Sequence, residues 1–536
     1  MKNQESLALI NANIYPFAAP GRATAIFARG GIIEAVGNDR EILSLCTPQT
    51  LVLDIQKKVV LPGFIDTHLH LLATGQSLES VDLKKTTSVN DLIEAGQQAL
   101  SSRGENGEWM LGFGWGHEWG VGQRLPQRSD LDAISSKTPI IFLRNCVHIA
   151  VLNSAALKAL GITGDTSFSD GVVDLDASGL PTGIVREGAL RFALDGMPPP
   201  TRLQLRGYAQ KTMAALVKKG VTLAQSDDLS YFESPEDLMA FFQELDDADQ
   251  MPLSVQQQWR LQSVPAVRDF LKKGGHRHQG KSFASGPLKL MLDGSLGART
   301  AALRADYNDD IGNRGLLLYD RETLEQMLGL ASGAKWQVAA HAIGDEPLLQ
   351  LLDAYEGAKT RGSEVGLRVV HCQIGDDALY QRMADLGVGA DIQPLFLASD
   401  WEMVMDRLGA ERSRSSYAWN TLVKKGVVLG GGSDSPVEDF SVLKAIQVAM
   451  TRKDLAGRPE HGWLSSEALG RAEAFWLYTG GAAQLIGQQA VRGTLQPGKS
   501  ADMAVLMENP FVLPAEEVGS IEVGMTIVSG KVCHIV

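Results

Sequence analysis

The feature of this sequence that most restricts its fold is a series of eight short apolar runs separated by helical stretches. The runs resemble buried β-strands, and they cover residues 64–70, 221–226, 253–259, 288–293, 337–341, 368–371, 388–392 and 427–432. Several follow a glycine that could end the preceding helix, namely Gly220, Gly366, Gly387 and Gly426. Eight alternating strand and helix units predict an α/β protein with a (β/α)8 TIM-type barrel.

Short strands are predicted at both ends of the chain. Residues 6–61 carry apolar β-like runs and a hairpin signal at Gly30 and Gly31, and residues 501–536 continue in the same way. We therefore predict a small composite β-sandwich from residues 1–61 and 490–536, around a barrel domain of residues 62–489. Residues 73–205 are far longer than an ordinary βα loop, and we expect them to form an insertion subdomain over the active site, after the first barrel strand.

Residues that commonly bind metals stand where several of these runs end. His68 and His70 close the first run, His341 the fifth and His371 the sixth, and Asp434 follows the eighth. The C-terminal ends of barrel strands share one mouth, where active sites lie, so these side chains should converge. Imidazole and carboxylate groups are ligands for zinc and similar ions. The pattern therefore predicts a metal site at the mouth of the barrel.

A second His-x-His, at residues 276–278, provides a contrast. It lies in a polar, glycine-rich loop with no apolar strand behind it. A metal site needs rigid support for its ligands. We therefore expect a surface or structural role for this pair.

Lys289 interrupts the fourth apolar run, which is an unfavourable position for a charged side chain. Burial disfavours the ammonium form unless its charge is removed or paired. Asp293 has the same parity along a regular strand, so the two side chains would share one face. An ion pair with Asp293 and a loss of the lysine charge are both open explanations at this point.

Composition excludes several classes of function. The formal net charge of −13 argues against non-specific binding to nucleic acid or an anionic membrane. The four cysteines show no CxxC spacing, which argues against a disulfide framework and suits a reducing, cytoplasmic location. No apolar run reaches the roughly 18 residues of a membrane helix. The first residues lack the pattern of a secretory signal, so we expect none.

Several longer motifs carry a resemblance to a known family. They are residues 62–70 (PGFIDTHLH), 183–187 (GIVRE), 289–301 (KLMLDGSLGARTA), 341–345 (HAIGD), 433–436 (SDSP), 493–495 (GTL) and 498–502 (GKSAD). With the strand-end histidines, they resemble the amidohydrolase superfamily of metal-dependent hydrolases, and within it the YtcJ-like branch of the amidohydrolase-3 family. The resemblance extends almost from end to end, including the composite β-domain.

The resemblance implies a centre of one or two divalent metal ions, most often zinc. His68 and His70 would hold one ion, with Asp434 completing its ligands, while His341 and His371 would hold the second. Two such ions lie ~3.5–4 Å apart and need a bridging anion.

The resemblance also suggests the bridge. Lys289, carboxylated by CO2 to a carbamate, would turn a buried cation into the required anion. Glu187 lies in another family-like motif and is an alternative, although it precedes the second barrel strand. A mononuclear centre also remains open.

Candidate substrate-binding residues lie in the insertion and before the eighth strand. Residues 112–120 (GFGWGHEWG) are rich in glycine and aromatic residues, which suits a pocket wall, and they include Trp115 and His117. His148 matches a family histidine thought to face the substrate, but Cys-Val-His stands here where relatives usually have Asp-Gly-His. Tyr417 is a further candidate at the mouth. Simple packing roles are the alternative for each of these positions.

These observations predict a metal-dependent amidohydrolase that cleaves a C–N bond in a small organic substrate, such as an amide, an N-substituted formamide or a cyclic amide. Metal-activated hydroxide would attack the carbonyl carbon, and Asp434 would accept the proton and pass it to the leaving nitrogen. The alternatives are a mononuclear deaminase of an aminated heterocycle, a phosphoesterase and a non-catalytic scaffold protein. We expect neither a nucleic acid nor a membrane partner, and the sequence is compatible with a homo-oligomer.

Overall fold

A parallel β-sheet that curves into a nearly closed barrel is the central element of this computed structural model. The structure describes residues 6–18, 23–103, 108–116, 124–144, 148–362 and 366–536. The chain divides into two compact units, one of Met1–Thr74 with Ala209–Val536 and the other of Gly75–Tyr208. The barrel belongs to the first unit.

Within the described residues, the barrel sheet has eight parallel strands that pair in chain order. Their bounds are Phe64–Leu69, Val221–Ser226, Ser254–Arg260, Phe283–Met291, Val338–Ala342, Leu367–His371, Gly389–Ile392 and Leu429–Gly431. Just beyond the eighth strand, the Asp434 N–H donates to the His68 carbonyl at 2.8 Å and brings the chain back to the first strand. Every predicted run therefore overlaps a strand of one sheet, which fits the predicted TIM-type barrel.

The fourth barrel strand differs most from its prediction. It spans Phe283–Met291, so it begins earlier than the apolar run and ends before Asp293. The sequence pattern did not predict the first half of this strand, because Gly286 and Pro287 lie in it and both residue types usually interrupt strands. The structure accommodates them where the register with the third strand shifts. Lys289 remains inside the strand.

Several helices of the barrel unit begin or end at conventional caps. The Asp376 side chain accepts from the Leu379 N–H at one helix start, and the same helix ends at Gly387 in the left-handed conformation. Gly220 and Gly426 also have positive φ, whereas Gly366 does not. The helix bounds are Asp39–Leu43, Leu71–Glu79, Arg202–Lys218, Pro235–Asp247, Val264–Lys272, Arg321–Gly333, Asp345–Thr360, Asp377–Leu386, Pro394–Arg412, Trp419–Lys424, Val442–Thr451, Arg471–Trp476 and Gly480–Leu485.

Both ends of the chain form β-sheets. One has the strand order Ile32–Gly37, Ala25–Arg29, Ser6–Ile10 and Leu51–Asp54. The other has the order Asn13–Ile14, Val59–Pro62, Met503–Leu506, Val523–Val528 and Lys531–Ile535, and so combines strands from both ends. Leu9 and Ile26 of the first sheet share a buried apolar cluster with Met503 and Ile527 of the second. Burial of this cluster stabilises the pairing of the two chain ends.

The second unit is built on a mixed sheet. Across its described residues the strand order is Gly171–Leu175, Pro181–Glu187, Ile149–Leu152, Ile140–Arg144, Met110–Trp115 and Val81–Asp82. Its helices are Val89–Arg103, Arg128–Asp132, Ser154–Leu160 and Gly188–Asp195. Asn153 is fully buried and caps one of these helices. Its amide accepts from the Ile140 and Ala156 N–H groups and donates to the Ser135 and Thr138 carbonyls.

Replacement of Asn153 should destabilise this unit. In the variant Asn153→Ala, four buried backbone groups lose their partner, and we expect a loss of about 3 kcal/mol in the free energy of unfolding. Chemical denaturation followed by circular dichroism would measure it. The exposed Asn90→Ala is the matched control and should unfold like the wild type. Equal midpoints for both variants would contradict the importance of the buried amide.

Two observations bear on the expectations from composition. Among the described residues, no helix is both long and apolar enough to cross a membrane. Cys46, Cys372 and Cys533 are free thiols, and Cys146 lies outside the described residues. Burial raises the pKa of the Cys372 thiol to about 12, so this side chain remains a neutral packing residue.

Candidate metal centre

The first barrel strand and the residues after the eighth bring two imidazoles and a carboxylate together. Nε2 of His68 and Nε2 of His70 lie 3.3 and 3.2 Å from the same oxygen, Oδ1 of Asp434. Nδ1 of His70 donates to the Asp227 carbonyl at 2.8 Å, so Nε2, which faces Asp434, is the nitrogen left for a metal ion. Asp434 has a positive φ of 54°, a conformation uncommon for a residue with a side chain.

His371 and His341 stand at the ends of the sixth and fifth strands, as predicted. Their ring centroids are 4.6 Å apart, and the His371 ring is 5.9 Å from that of His68. Ligand atoms of His68, His371 and Asp434 all lie within 4.8 Å of one another. Nε2 of His341 lies 3.1 Å from the Gly294 carbonyl, which leaves its Nδ1 as the nitrogen that could bind a metal.

Lys289 is fully buried beside these groups. Its Nζ lies 3.1 Å from Nε2 of His68, and burial lowers the pKa of the ammonium to about 8. The ion pair with Asp293, one of the two explanations from sequence, does not form. Both Asp293 oxygens instead accept from backbone N–H groups of residues 302, 343 and 344. The strand ends at Met291, so the alternation of faces no longer applies at Asp293.

The protonation states favour a cation at this position. Burial lowers the pKa of His68 to about 3 and that of His371 well below its usual value, so both rings are neutral at neutral pH. Burial opposes ionisation of Asp434, but its contacts with His68 and His70 hold its pKa well below the usual range. Neutral imidazoles and an ionised carboxylate are the forms that bind a divalent metal. His70 differs, because burial is outweighed by its contact with Asp434, which raises its pKa to about 9, so metal binding there would displace a proton.

An unsatisfied oxygen provides an independent test of this fit. Oδ1 of Asp434 is buried and, among the described residues, has no assigned hydrogen-bond partner, although Nε2 of His68 and Nε2 of His70 lie 3.3 and 3.2 Å away. Such buried polar atoms are rare and need an explanation. A divalent ion placed between His68, His70 and Asp434 would satisfy the carboxylate oxygen and the Nε2 atoms of both rings. The residues therefore fit a metal ion.

Comparisons with known proteins agree with this geometry. A sequence profile described as the amidohydrolase family matches residues 51–534. The chain belongs to the amidohydrolase family. The putative amidohydrolase YtcJ of Bacillus subtilis is 31% identical to it over 528 residues, which are 97% of this chain and 98% of the relative. The predicted membership of the YtcJ-like branch is therefore confirmed.

Two further relatives of this chain are informative. The N-substituted formamide deformylase of Arthrobacter pascens is 26% identical over 556 residues, covering 99% of this chain and 98% of the relative. The crystal structure of an uncharacterized metal-dependent hydrolase from Pyrococcus furiosus is 29% identical, with a TM-score of 0.78 and coverage of 94% of this chain and 99% of that one. The hydrolase fold is thus shared along almost the full length.

The other predicted site residues have different surroundings. Glu187 and His148 lie in the second unit, where their side chains contact each other at 3.1 Å and are more than half exposed. Neither belongs to the His68, His371 and Asp434 group. His117 lies outside the described residues.

The two aromatic candidates occupy buried positions. The Trp115 indole is fully buried in an apolar cluster of its own unit and donates to the Phe142 carbonyl at 2.8 Å. Tyr417 is almost fully buried, and its hydroxyl donates to Asp400 at 2.6 Å. These positions favour packing over the predicted contact with a substrate.

Polar residues that the sequence did not single out as site residues support the metal centre. Oδ1 of Asp66 accepts from the Ser433 and His68 N–H groups at 3.0 and 3.2 Å, which ties the first strand to the residues after the eighth. Gln393 accepts from Nδ1 of His371 at 2.8 Å, and Asp391 lies next to it in the seventh strand. For Asp391 the available signal was a charged residue inside the apolar run 388–392, and Asp66 and Ser433 lie within the motifs at residues 62–70 and 433–436.

Proposed function

We propose that this amidohydrolase cleaves a C–N bond of a small organic substrate: an amide, an N-substituted formamide or a cyclic amide. The observation that carries the proposal is the convergence of His68, His70 and His371 around the Asp434 carboxylate, whose Oδ1 has no assigned hydrogen-bond partner among the described residues. The substrate class draws support from the formamide deformylase, a relative that matches almost the whole chain.

The proposed ligand assignment follows strand position. His68, His70 and Asp434 would hold one ion, and His341 and His371 would hold a second. Lys289 would supply the anion between them as a carbamate. Burial lowers the pKa of its ammonium to about 8, which makes the neutral amine that reacts with CO2 easier to form. We propose zinc as the metal and the cytoplasm as the location.

The proposed chemistry assigns one task to Asp434. Bound divalent ions lower the pKa of water and polarise a carbonyl group. Asp434 lies at the centre of the group, is ionised, and so can accept a proton from the attacking water. It then returns that proton to the leaving nitrogen, so that the amine departs neutral.

Removal of metal should abolish activity reversibly. We expect protein purified without chelator to contain one or two equivalents of a divalent metal per chain. Dialysis against a chelator should reduce amide and formamide hydrolysis by at least about 100-fold, because no strong nucleophile then forms at neutral pH. Added zinc should restore it. Metal analysis with a panel of amides and formamides tests the proposal, and full activity of the metal-free protein would refute it.

A mononuclear deaminase is the second candidate. The group of His68, His371 and Asp434 offers ligands close enough for a single ion, and this observation favours a one-metal centre. Such an enzyme would release ammonia from an aminated heterocycle. One metal per chain together with ammonia release would establish this alternative and exclude the binuclear amide hydrolase.

A further inference from the structure

A buried network of polar contacts links the end of the sixth barrel strand to the end of the seventh and includes a proposed metal ligand, His371. Nδ1 of His371 lies 2.8 Å from Oε1 of Gln393. Nε2 of Gln393 lies 3.3 Å from the Asp391 carbonyl and 3.5 Å from its carboxylate. All three residues are almost completely removed from solvent. Buried polar groups make lasting contacts because water cannot replace a lost partner.

This chain of contacts decides which atom of Gln393 faces the imidazole. The two Asp391 oxygens are acceptors, so the amide must direct its NH2 group towards them. Oε1 therefore faces His371, and a carbonyl oxygen can only accept. Nδ1 of His371 consequently carries the proton, and Nε2 carries the electron pair that a metal ion requires.

Asp391 is itself held from two sides. The Thr67 hydroxyl donates to its Oδ1 at 2.5 Å, and the buried Arg368 guanidinium lies 3.5 Å from its Oδ2. Thr67 immediately precedes His68 in the first strand, and Arg368 lies in the same strand as His371. The Asp391 carboxylate thus connects the strands that carry the proposed ligands His68 and His371.

We infer that Gln393 is a positioning residue that fixes the tautomer and ring orientation of His371 for metal binding, and that Asp391 acts through it. The inference rests on the proposed metal centre. Partners of this kind raise the basicity of a ligand histidine and reduce the cost of orienting it, and their loss typically weakens metal binding about 10–100-fold.

Two substitutions of Gln393 separate positioning from packing. Gln393→Leu keeps a similar volume but removes the acceptor. It should bind zinc about 10–100-fold more weakly and melt at a lower temperature than the wild type, because the buried Nδ1–H of His371 loses its partner. Gln393→Glu keeps an acceptor for His371 but places a carboxylate beside Asp391. It should melt at a lower temperature and yet bind zinc more tightly than the leucine variant. Competition with a chromophoric chelator measures the affinity.

Gln257→Leu is the matched control. Gln257 is fully buried in the third barrel strand, and its amide donates to the Gln258 carbonyl rather than to a proposed ligand. Its zinc affinity should equal that of the wild type. The inference would be overturned if Gln393→Leu bound zinc as tightly as the wild type, or if the glutamate variant bound zinc no better than the leucine variant. Either result would leave the proposed function intact. A wild-type chain that binds no divalent metal would refute the proposed function as well.

Discussion

The variant Asp434→Asn should lose about 10³-fold or more in kcat while retaining most of its bound metal. The carboxylate is the group that we propose accepts the proton from water, and an amide cannot perform this step. The ring nitrogens of His68 and His70 remain available to the ion, and the asparagine oxygen remains a weak ligand. Steady-state kinetics with metal analysis of the same preparation would measure both quantities.

Asp439→Asn is the control for that variant. Asp439 follows on the same segment of chain but is exposed and pairs with Lys444. Its removal should leave kcat and metal content unchanged. Turnover at the wild-type rate in Asp434→Asn would exclude the acid–base role of Asp434. A loss of both metal and activity would show that Asp434 acts chiefly as a ligand.

The variant Lys289→Ala should lose the second metal and at least about 100-fold in activity. The alanine cannot form a carbamate, so the two ions lose the anion that we propose bridges them. A short carboxylic acid such as propionate fits the space left by the side chain and supplies a carboxylate. It should therefore restore part of the activity and of the second metal equivalent.

A surface lysine provides the comparison for this experiment. Lys359 is exposed, and its ammonium donates to the Leu386 carbonyl. Lys359→Ala should keep full activity and show no response to propionate. Two metal equivalents in Lys289→Ala without rescue would assign the bridge to Glu187 or to a water molecule instead.

The barrel was predictable because its signals are local. Each apolar run corresponds to a strand that is buried on both faces. Several runs follow a glycine with positive φ, a conformation that other residues rarely adopt and that ends the preceding helix. The fourth strand was partly missed for a local reason as well, since Gly286 and Pro287 resemble a strand break.

The position of the histidines was also predictable, although their spacing alone was not sufficient. His68 and His70 follow an apolar strand and converge on Asp434. His276, from the other His-x-His, instead packs against Phe270 at 5.4 Å and contacts Glu236. The difference lies in the supporting strand, which the sequence already indicated.

The sequence by itself thus determined the α/β barrel, the family and the strand ends at which candidate ligands stand, because each depends on patterns within a few neighbouring residues. Only the tertiary structure decided the partners of those side chains. It placed Lys289 against His68 rather than Asp293, buried Trp115 in a core, and joined Gln393 to His371. These contacts link side chains on different strands, and their geometry depends on register and on where each strand ends, which local patterns do not specify.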